Sequence, residues 1–377
     1  MKFTCDKITF YEAVSNVMKA VSSRSTLPVL EGILLKAYEG SLTLIGYDLE
    51  IGITTQVDAS IEEPGEVVIS AGYLYNIIRN MPGDFIAIQS DDKQRVSIES
   101  GITSFNILGM PPREYPELPH ISSEDSFVMD RLVLKNMIDM TIFAVSKTDT
   151  RPVHTGSLID VKNSIINIVS VDGFRLAMRK EEIDIDSGRE FKFVVPRKAL
   201  FEISHLIDYS KSDSDEEGKK IDIHFSGKHA VFNIDEYTIV TRLLEGEFLD
   251  YENSIPKGST TTVTIDRKEF KSGIERSSLI ITERLKSPLR CIFEDNKVKI
   301  SCVTTVGRSY DEIFCEVSGS IVDIGFNNRY LLDALGYADE DFVKLEINGP
   351  LSPMKVIPTD SDKFLFLVLP MRLKNEV

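Results

Sequence analysis

"STLPVLEGILLKA", residues 25–37, has a counterpart 124 positions further on in "DTRPVHTGSLIDV", residues 149–161. Upstream of Pro28, apolar residues at Phe10, Val14, Val17, Met18 and Val21 are spaced as one face of an amphipathic helix. The same shift carries them onto Leu134, Ile138, Thr141, Ile142 and Val145, and carries Pro28 onto Pro152. A further shift of 136 finds Phe270, Ile274, Ser278 and Ile281, with Pro288 in "LKSPLRCIFEDN". The first helix anchor and the proline are 18 residues apart in all three places, so the chain reads as three copies of one unit. Copies this long are whole domains rather than the short units of a solenoid.

Each copy has a second half. "GEVVISAGYLYNII", "FKFVVPRKALFEIS" and "SIVDIGFNNRYLLDAL" each run from a strand into a helix, anchored at Leu74/Ile77/Ile78, Leu200/Ile203 and Leu331/Ala334/Leu335. Alternating strands follow, and polar, proline- or threonine-bearing linkers fall near 117–126 and 252–262. The expected domains are 1–120, 125–252 and 260–377, each an α+β unit of two helices and about eight strands.

A hydrophobic fraction of 42% and a charged fraction of 27% are those of an ordinary soluble globular chain. There is no apolar run long enough to span a bilayer, and "MKFTCDKITF" lacks a secretory h-region, so the expected location is the cytoplasm. Cys5, Cys291, Cys302 and Cys315 form no CxxC pair and sit in strand-like apolar surroundings, where buried free thiols are expected. The five histidines show no paired-ligand spacing. Neither a metal nor a cofactor is expected.

The net charge of −16 speaks against nucleic acid if the charge is spread evenly. It is not. The six helix windows, 6–24, 70–80, 130–147, 196–211, 265–286 and 327–337, carry a net +6, which leaves −22 on the rest of the chain. Two readings are open: Lys and Arg are good helix formers, or the helices make a basic surface on an acidic body that touches phosphates loosely.

"SVDGFRLAM", residues 170–178, has the look of a catalytic loop leaving a strand. Asp48 of the first copy matches its Asp172, whereas the shift places Arg308 at that position in the third copy, and "GFRL" occurs in the second copy alone. GxSxG, Walker A, GxGxxG and HExxH are all absent, so no catalytic residue is expected. The acidic run Asp213–Glu217 with Lys219-Lys220 reads as a solvated loop. A scaffold that binds only proteins is the competing non-enzymatic reading.

Taken in order, "MKFT", "RSTLPVLEGILL", "TRPVHTG", "VDGFRLAM", "VVPRKAL", "LLEGEFLDYENSIP", "NRYLLDAL" and "LPMRL" resemble the bacterial sliding-clamp family, the beta subunits of DNA polymerase III, across the whole chain. The resemblance implies three tandem DNA-clamp domains forming half of a closed, head-to-tail dimeric ring. Twelve helices at about 10 Å spacing enclose a hole roughly 28 Å across, room for a hydrated duplex. DNA held by topology needs no high affinity, which removes the objection from net charge.

The resemblance also implies site residues. Arg24, Arg151, Arg197 and Lys198 match DNA-facing positions, and Arg79 and Lys147 join them from the helix reading; a solvated surface charge is the alternative for each. Phe105, Leu279 and Ile280 match the apolar contacts of ring closure, expected to rely on apolar packing because "TTVGRSYDE" replaces an acidic run. A cleft for linear motifs bearing Gln and Leu or Phe is implied at Val171, Gly173, Phe174, Arg175, Leu176, Leu367, Val368, Leu369, Pro370, Met371 and Arg372, with Pro353 at its rim. For the aliphatic members, core packing is the alternative. His154 stands where Leu is usual, Leu249 replaces the Pro of "FPDY", Asn253-Ser254 replace a basic-apolar pair, and Pro152-Val153 stand where some members carry tyrosines. Implied partners are duplex DNA without sequence preference, a second copy of the chain, the polymerase III catalytic subunit, a clamp-loader subunit, other polymerases and repair proteins, and no membrane.

Overall fold

A computed structural model of the chain describes residues 1–119, 125–148, 150–186, 188–209, 219–282 and 287–373. The acidic run 213–217 lies outside these residues.

Three tandem α/β repeats are present. In each first half an aspartate caps the helix. Asp6 Oδ1 accepts from Thr9 N at 2.9 Å before α1 (Lys7–Val17), and α2 is Ala71–Asn80. Asp130 Oδ1 accepts from Leu132 N and Val133 N before α3 (Arg131–Asp139), and α4 is Arg197–Tyr209. A short α5 covers Tyr251–Ser254, Asp266 Oδ1 accepts from Glu269 N before α6 (Arg267–Ser277), and α7 is Asn328–Tyr337. The carboxylate satisfies backbone N–H groups that the first helical turn leaves without partners.

Phe10, Val14 and Val17 of α1, Leu134 and Ile138 of α3, and Phe270 and Ile274 of α6 are all buried, as the helical spacing requires. The anchors of the second-half helices are buried with them. Each first-half window is an α-helix followed by a 3-10 turn, at Met18–Ala20, Ile142–Ala144 and Ser278–Ile280.

The chain packs as two compact units, and their boundary runs through the central repeat. One contains Met1–Lys135 and Lys198–Leu243, the other Asn136–Arg197 and Leu244–Val377. In the first unit, strand Tyr237–Arg242 of the central repeat pairs antiparallel with Ile51–Asp58 of the first, Thr241 opposite Ile51 and Tyr237 opposite Thr55. This makes one eight-stranded sheet. In the second unit, Arg175–Glu182 of the central repeat pairs with Phe364–Val368 of the third, Arg175 opposite Val368 and Arg179 opposite Phe364, inside a nine-stranded sheet.

Two smaller sheets end on open edges. Thr103–Leu108 is the last strand of a five-stranded sheet, and Arg308–Phe314 the last of a four-stranded one.

One sequence match is corrected. Strand pairing closes the four-residue loops 48–51, 172–175 and 304–307 at equivalent places, with Asp48 N bonded to Ile51 O, Asp172 N to Arg175 O and Thr304 N to Gly307 O. The counterpart of Asp172 is therefore Thr304 and not Arg308. The slip of four arises because Pro28–Glu31 and Pro152–Thr155 form 3-10 turns, whereas Pro288 leads straight into strand Leu289–Glu294. Asp48 Oδ1 accepts from Glu50 N and Ile51 N, Asp172 Oδ1 from Phe174 N and Arg175 N, and Thr304 Oγ1 from Val306 N. A polar loop-starter is thus a requirement of the fold in every copy.

Candidate functional site

The loop 172–175 turns through Gly173, whose φ of +86° is open to glycine at little cost. It leaves Phe174 58% exposed. The Phe174 ring stacks on Tyr330 of α7 at 5.8 Å, and its carbonyl accepts from Leu369 N at 3.0 Å, which ties the loop to the segment after the last strand.

Arg175 turns inward. Its Nε donates to Asp172 Oδ2 at 2.9 Å, Nη1 to Asp333 Oδ2, and Nη2 to the Phe143 carbonyl at 2.7 Å. The guanidinium lies 5.3 Å from the Phe143 ring centroid. Its charge is spent on holding the loop, α7 and the 3-10 turn together.

Beside this loop lies an apolar cluster. Val153, Leu158, Val169, Val171, Leu176, Val194, Tyr251 and Leu367 are buried, with Leu244, Phe248, Leu249 and Ile255 half-buried against them. His154 packs edge-on to Phe248 at 5.3 Å, and burial, reinforced by the Arg151 charge, pushes its imidazole below the ordinary value of 6.5. The shift favours the neutral imidazole, which sets an aromatic face against Phe248.

Leu244 and residues 246–252 form one side of a pocket of about 490 Å³, with Leu158, Lys192, Phe193 and Val194 on the other. Behind it, Asp160 Oδ2 accepts from Tyr251 Oη at 2.7 Å and from Lys192 Nζ at 2.9 Å. Burial, then the bond to Asp160, raises the Tyr251 phenol, while the Asp160 carboxylate raises Lys192.

The remaining candidates fall as follows. Asn253 and Ser254 are exposed on α5, where Asp250 accepts from Asn253 N and Nδ2. Val368 is fully buried, Leu369 borders solvent, Pro353 and Pro370 are half-buried, and Arg372 is exposed. Met371 N donates to Gly325 O at 2.7 Å. Arg24, Arg79, Lys147, Arg151 and Arg197 are exposed with no ion pair among the described residues, whereas Lys198 pairs with Asp48 at 2.5 Å. Phe105 is 41% exposed on the open edge strand, and Leu279 is 84% exposed on its 3-10 turn. Ile280, on the same turn, packs against the core of the second unit.

Sequence reasoning did not single out Tyr330, Asp333 or Phe143, although all three hold Arg175. The first two lie in "NRYLLDAL", and only the fold brings them to the loop. Among the described residues no cluster of three metal-ligating side chains forms, and no helix is long and apolar enough to cross a membrane.

Comparison with known proteins gives one answer from three directions. The chain matches the N-terminal, central and C-terminal domains of the DNA polymerase III beta subunit at residues 1–119, 129–250 and 252–372. It is 33% identical to the beta sliding clamp of Staphylococcus epidermidis over 382 residues, 99% of each chain. The crystal structure of the Bacillus subtilis DNA polymerase sliding clamp superposes with a TM-score of 0.94 at 30% identity, covering 99% of this chain and 100% of that one. That of the DNA polymerase III subunit beta from Pseudomonas aeruginosa gives 0.92 at 28% identity, covering 99% and 100%. The loop, the apolar cluster and the three repeats thus sit in a chain that belongs to the DNA polymerase III beta subunit family, the beta sliding clamps.

Proposed function

We propose that two copies of this chain close head to tail around duplex DNA, and that the apolar cleft of the second unit tethers a polymerase and other partners by their linear motifs. As a beta sliding clamp the chain is a processivity factor for DNA polymerase, a role that calls for no catalysis of its own.

The two open sheet edges carry this reading. Aligning the repeats through their strand registers makes Thr103–Leu108 the equivalent of Phe364–Val368, and Arg308–Phe314 the equivalent of Arg175–Glu182. Those counterparts pair within the chain. Joining the open edges of two copies in the same register sets Gly307 opposite Ile107 and Ser309 opposite Phe105, and creates a further nine-stranded sheet of the same strand order. Unpaired edges with exposed apolar side chains are otherwise a liability.

Side chains agree with this register. Within the chain Phe143 meets Phe366 edge-on at 5.4 Å. The equivalent residues are Leu279 and Phe105, both exposed here. The Phe174–Tyr330 stack has Val306 and Tyr73 as its equivalents, 74% and 68% exposed. Such a head-to-tail contact is heterologous and makes a ring when its rotation closes.

Arg24, Arg79, Lys147, Arg151, Arg197 and Lys198 are the proposed DNA-facing charges, each giving loose, sequence-blind contact. A loading assay tests the whole. Protein placed on nicked circular DNA by a clamp loader is expected to stay bound and to slide off once the circle is linearised. Retention indifferent to DNA ends refutes the topological mode and favours a protein-only scaffold.

A further inference from the structure

We propose that the pocket formed by Leu244 and residues 246–252 receives a lysine or arginine side chain next to the apolar core of a docked motif, so that the clamp prefers partners with basically flanked motifs. This rests on the cleft reading above and names the chemistry of its occupant.

The pocket adjoins the cleft, because Leu158, Val194, Leu244, Phe248, Leu249 and Tyr251 belong both to its lining and to the apolar cluster. A peptide seated on that cluster therefore has its flanking residue at the pocket mouth. The rim is acidic: Glu247, Asp250 and Glu252 line the pocket and are exposed. Glu247 and Glu252 have no ion-pair partner among the described residues, and Asp250 is tied to Asn253. Lys192, the one basic residue in the lining, is engaged by Asp160.

A second observation is independent of the rim. Asp160 is 2% exposed, and its Oδ1 has no hydrogen-bond partner although Oδ2 has two. Asp160 lies two residues along its strand from Leu158 and so on the same face, the face that lines the pocket. A buried acceptor left unpaired is costly, and Asp160, bonded to Tyr251 and Lys192 of the lining, sets a carboxylate directly behind the pocket wall. Apolar walls with an acidic mouth suit a lysine or arginine, whose alkyl stem packs against Phe248 and Leu249 while its charge meets the carboxylates.

The test uses the intact protein and three fluorescein-labelled synthetic peptides that share one core of Gln, Leu and Phe and are flanked on both sides by Lys, Ala or Glu. By anisotropy at low salt, the Lys peptide is expected to bind about three- to tenfold tighter than the Glu peptide, the effect of two or three exposed charge pairs. The preference is expected to shrink at about 0.5 M salt, where screening is strong, and to fall in the Glu247→Gln/Glu252→Gln double variant, with the Ala peptide unaffected. Equal affinity for the Lys and Glu peptides, or a preference unchanged by the double substitution, overturns the proposal. Failure of all three peptides to bind removes the cleft reading, and the proposal with it.

Discussion

The guanidinium carbon of Arg175 lies 4.7 Å from the centroid of the Tyr330 ring. With Asp172, Asp333 and the Phe143 carbonyl as its other partners, one side chain joins a hairpin loop, a helix and a 3-10 turn from two repeats. Arg175→Ala leaves these acceptors facing a hole and is expected to cost about 3 kcal/mol of stability in the second unit. Arg175→Lys should not restore it, since an ammonium cannot serve three directions. Urea unfolding followed by circular dichroism checks both, and a midpoint equal to that of the parent protein excludes the role.

The proposed closure register is open to cross-linking. Phe105→Cys combined with Ser309→Cys sets two thiols opposite each other across the interface, where cross-strand Cβ atoms are about 5 Å apart. The chain's own cysteines are all buried and free, so background linkage is low. Oxidation is expected to give a covalent dimer, and pairing Phe105→Cys with Tyr310→Cys, one residue out of register, is expected to give much less.

Apolar closure predicts sensitivity to charge. Leu279→Asp sets a carboxylate where the Phe105 ring of a second copy is expected, and should weaken the dimer by about 100-fold or more, the cost of burying an unpaired charge. Sedimentation equilibrium measures this directly, and Leu279 is exposed enough that the monomer fold is retained.

His154 gives a dependence on pH. Its folded-state pKa lies below the usual 6.5, so the unfolded chain binds the proton first as pH falls. The neutral form therefore gives full stability above about pH 6.5, and that stability declines below it until the folded pKa is reached. The loss of melting temperature between pH 7.5 and 5.5 is expected to be smaller in His154→Gln than in the parent. An equal loss in both shows that the imidazole does not titrate differently on unfolding.

Tyr251→Phe removes the 2.7 Å bond to Asp160 and leaves that buried carboxylate with Lys192 alone. A cost of about 1–3 kcal/mol is expected, together with weaker peptide binding, because Tyr251 anchors the segment that walls the pocket. Peptide anisotropy and thermal melting should change together; binding loss with no change in melting would place the hydroxyl in direct contact with the ligand instead.

Much of this was legible in the sequence. Helix faces, the 18-residue spacing and the three repeats follow from local periodicity, and the helix-capping aspartates recur at the same two shifts of 124 and 136 as Asp6, Asp130 and Asp266. What periodicity cannot carry is pairing between distant strands. Nothing near Arg175 in the chain announces that Val368 lies opposite it, or that Asp333 and Tyr330 close over its guanidinium. The four-residue deletion after Pro288 also defeats a constant shift, which is why Arg308 stands in the sequence where Thr304 stands in the fold.

Because the central repeat is joined to each neighbouring repeat through one strand of a shared sheet, the boundaries at which the sequence repeats are the wrong places to cut the gene. A fragment limited to the middle copy would bare two raw strands, Tyr237–Arg242 and Arg175–Glu182, and is expected to aggregate. The same constraint bears on inheritance. Where two copies share a sheet, a substitution that alters one edge strand calls for a matching change in the strand it pairs with.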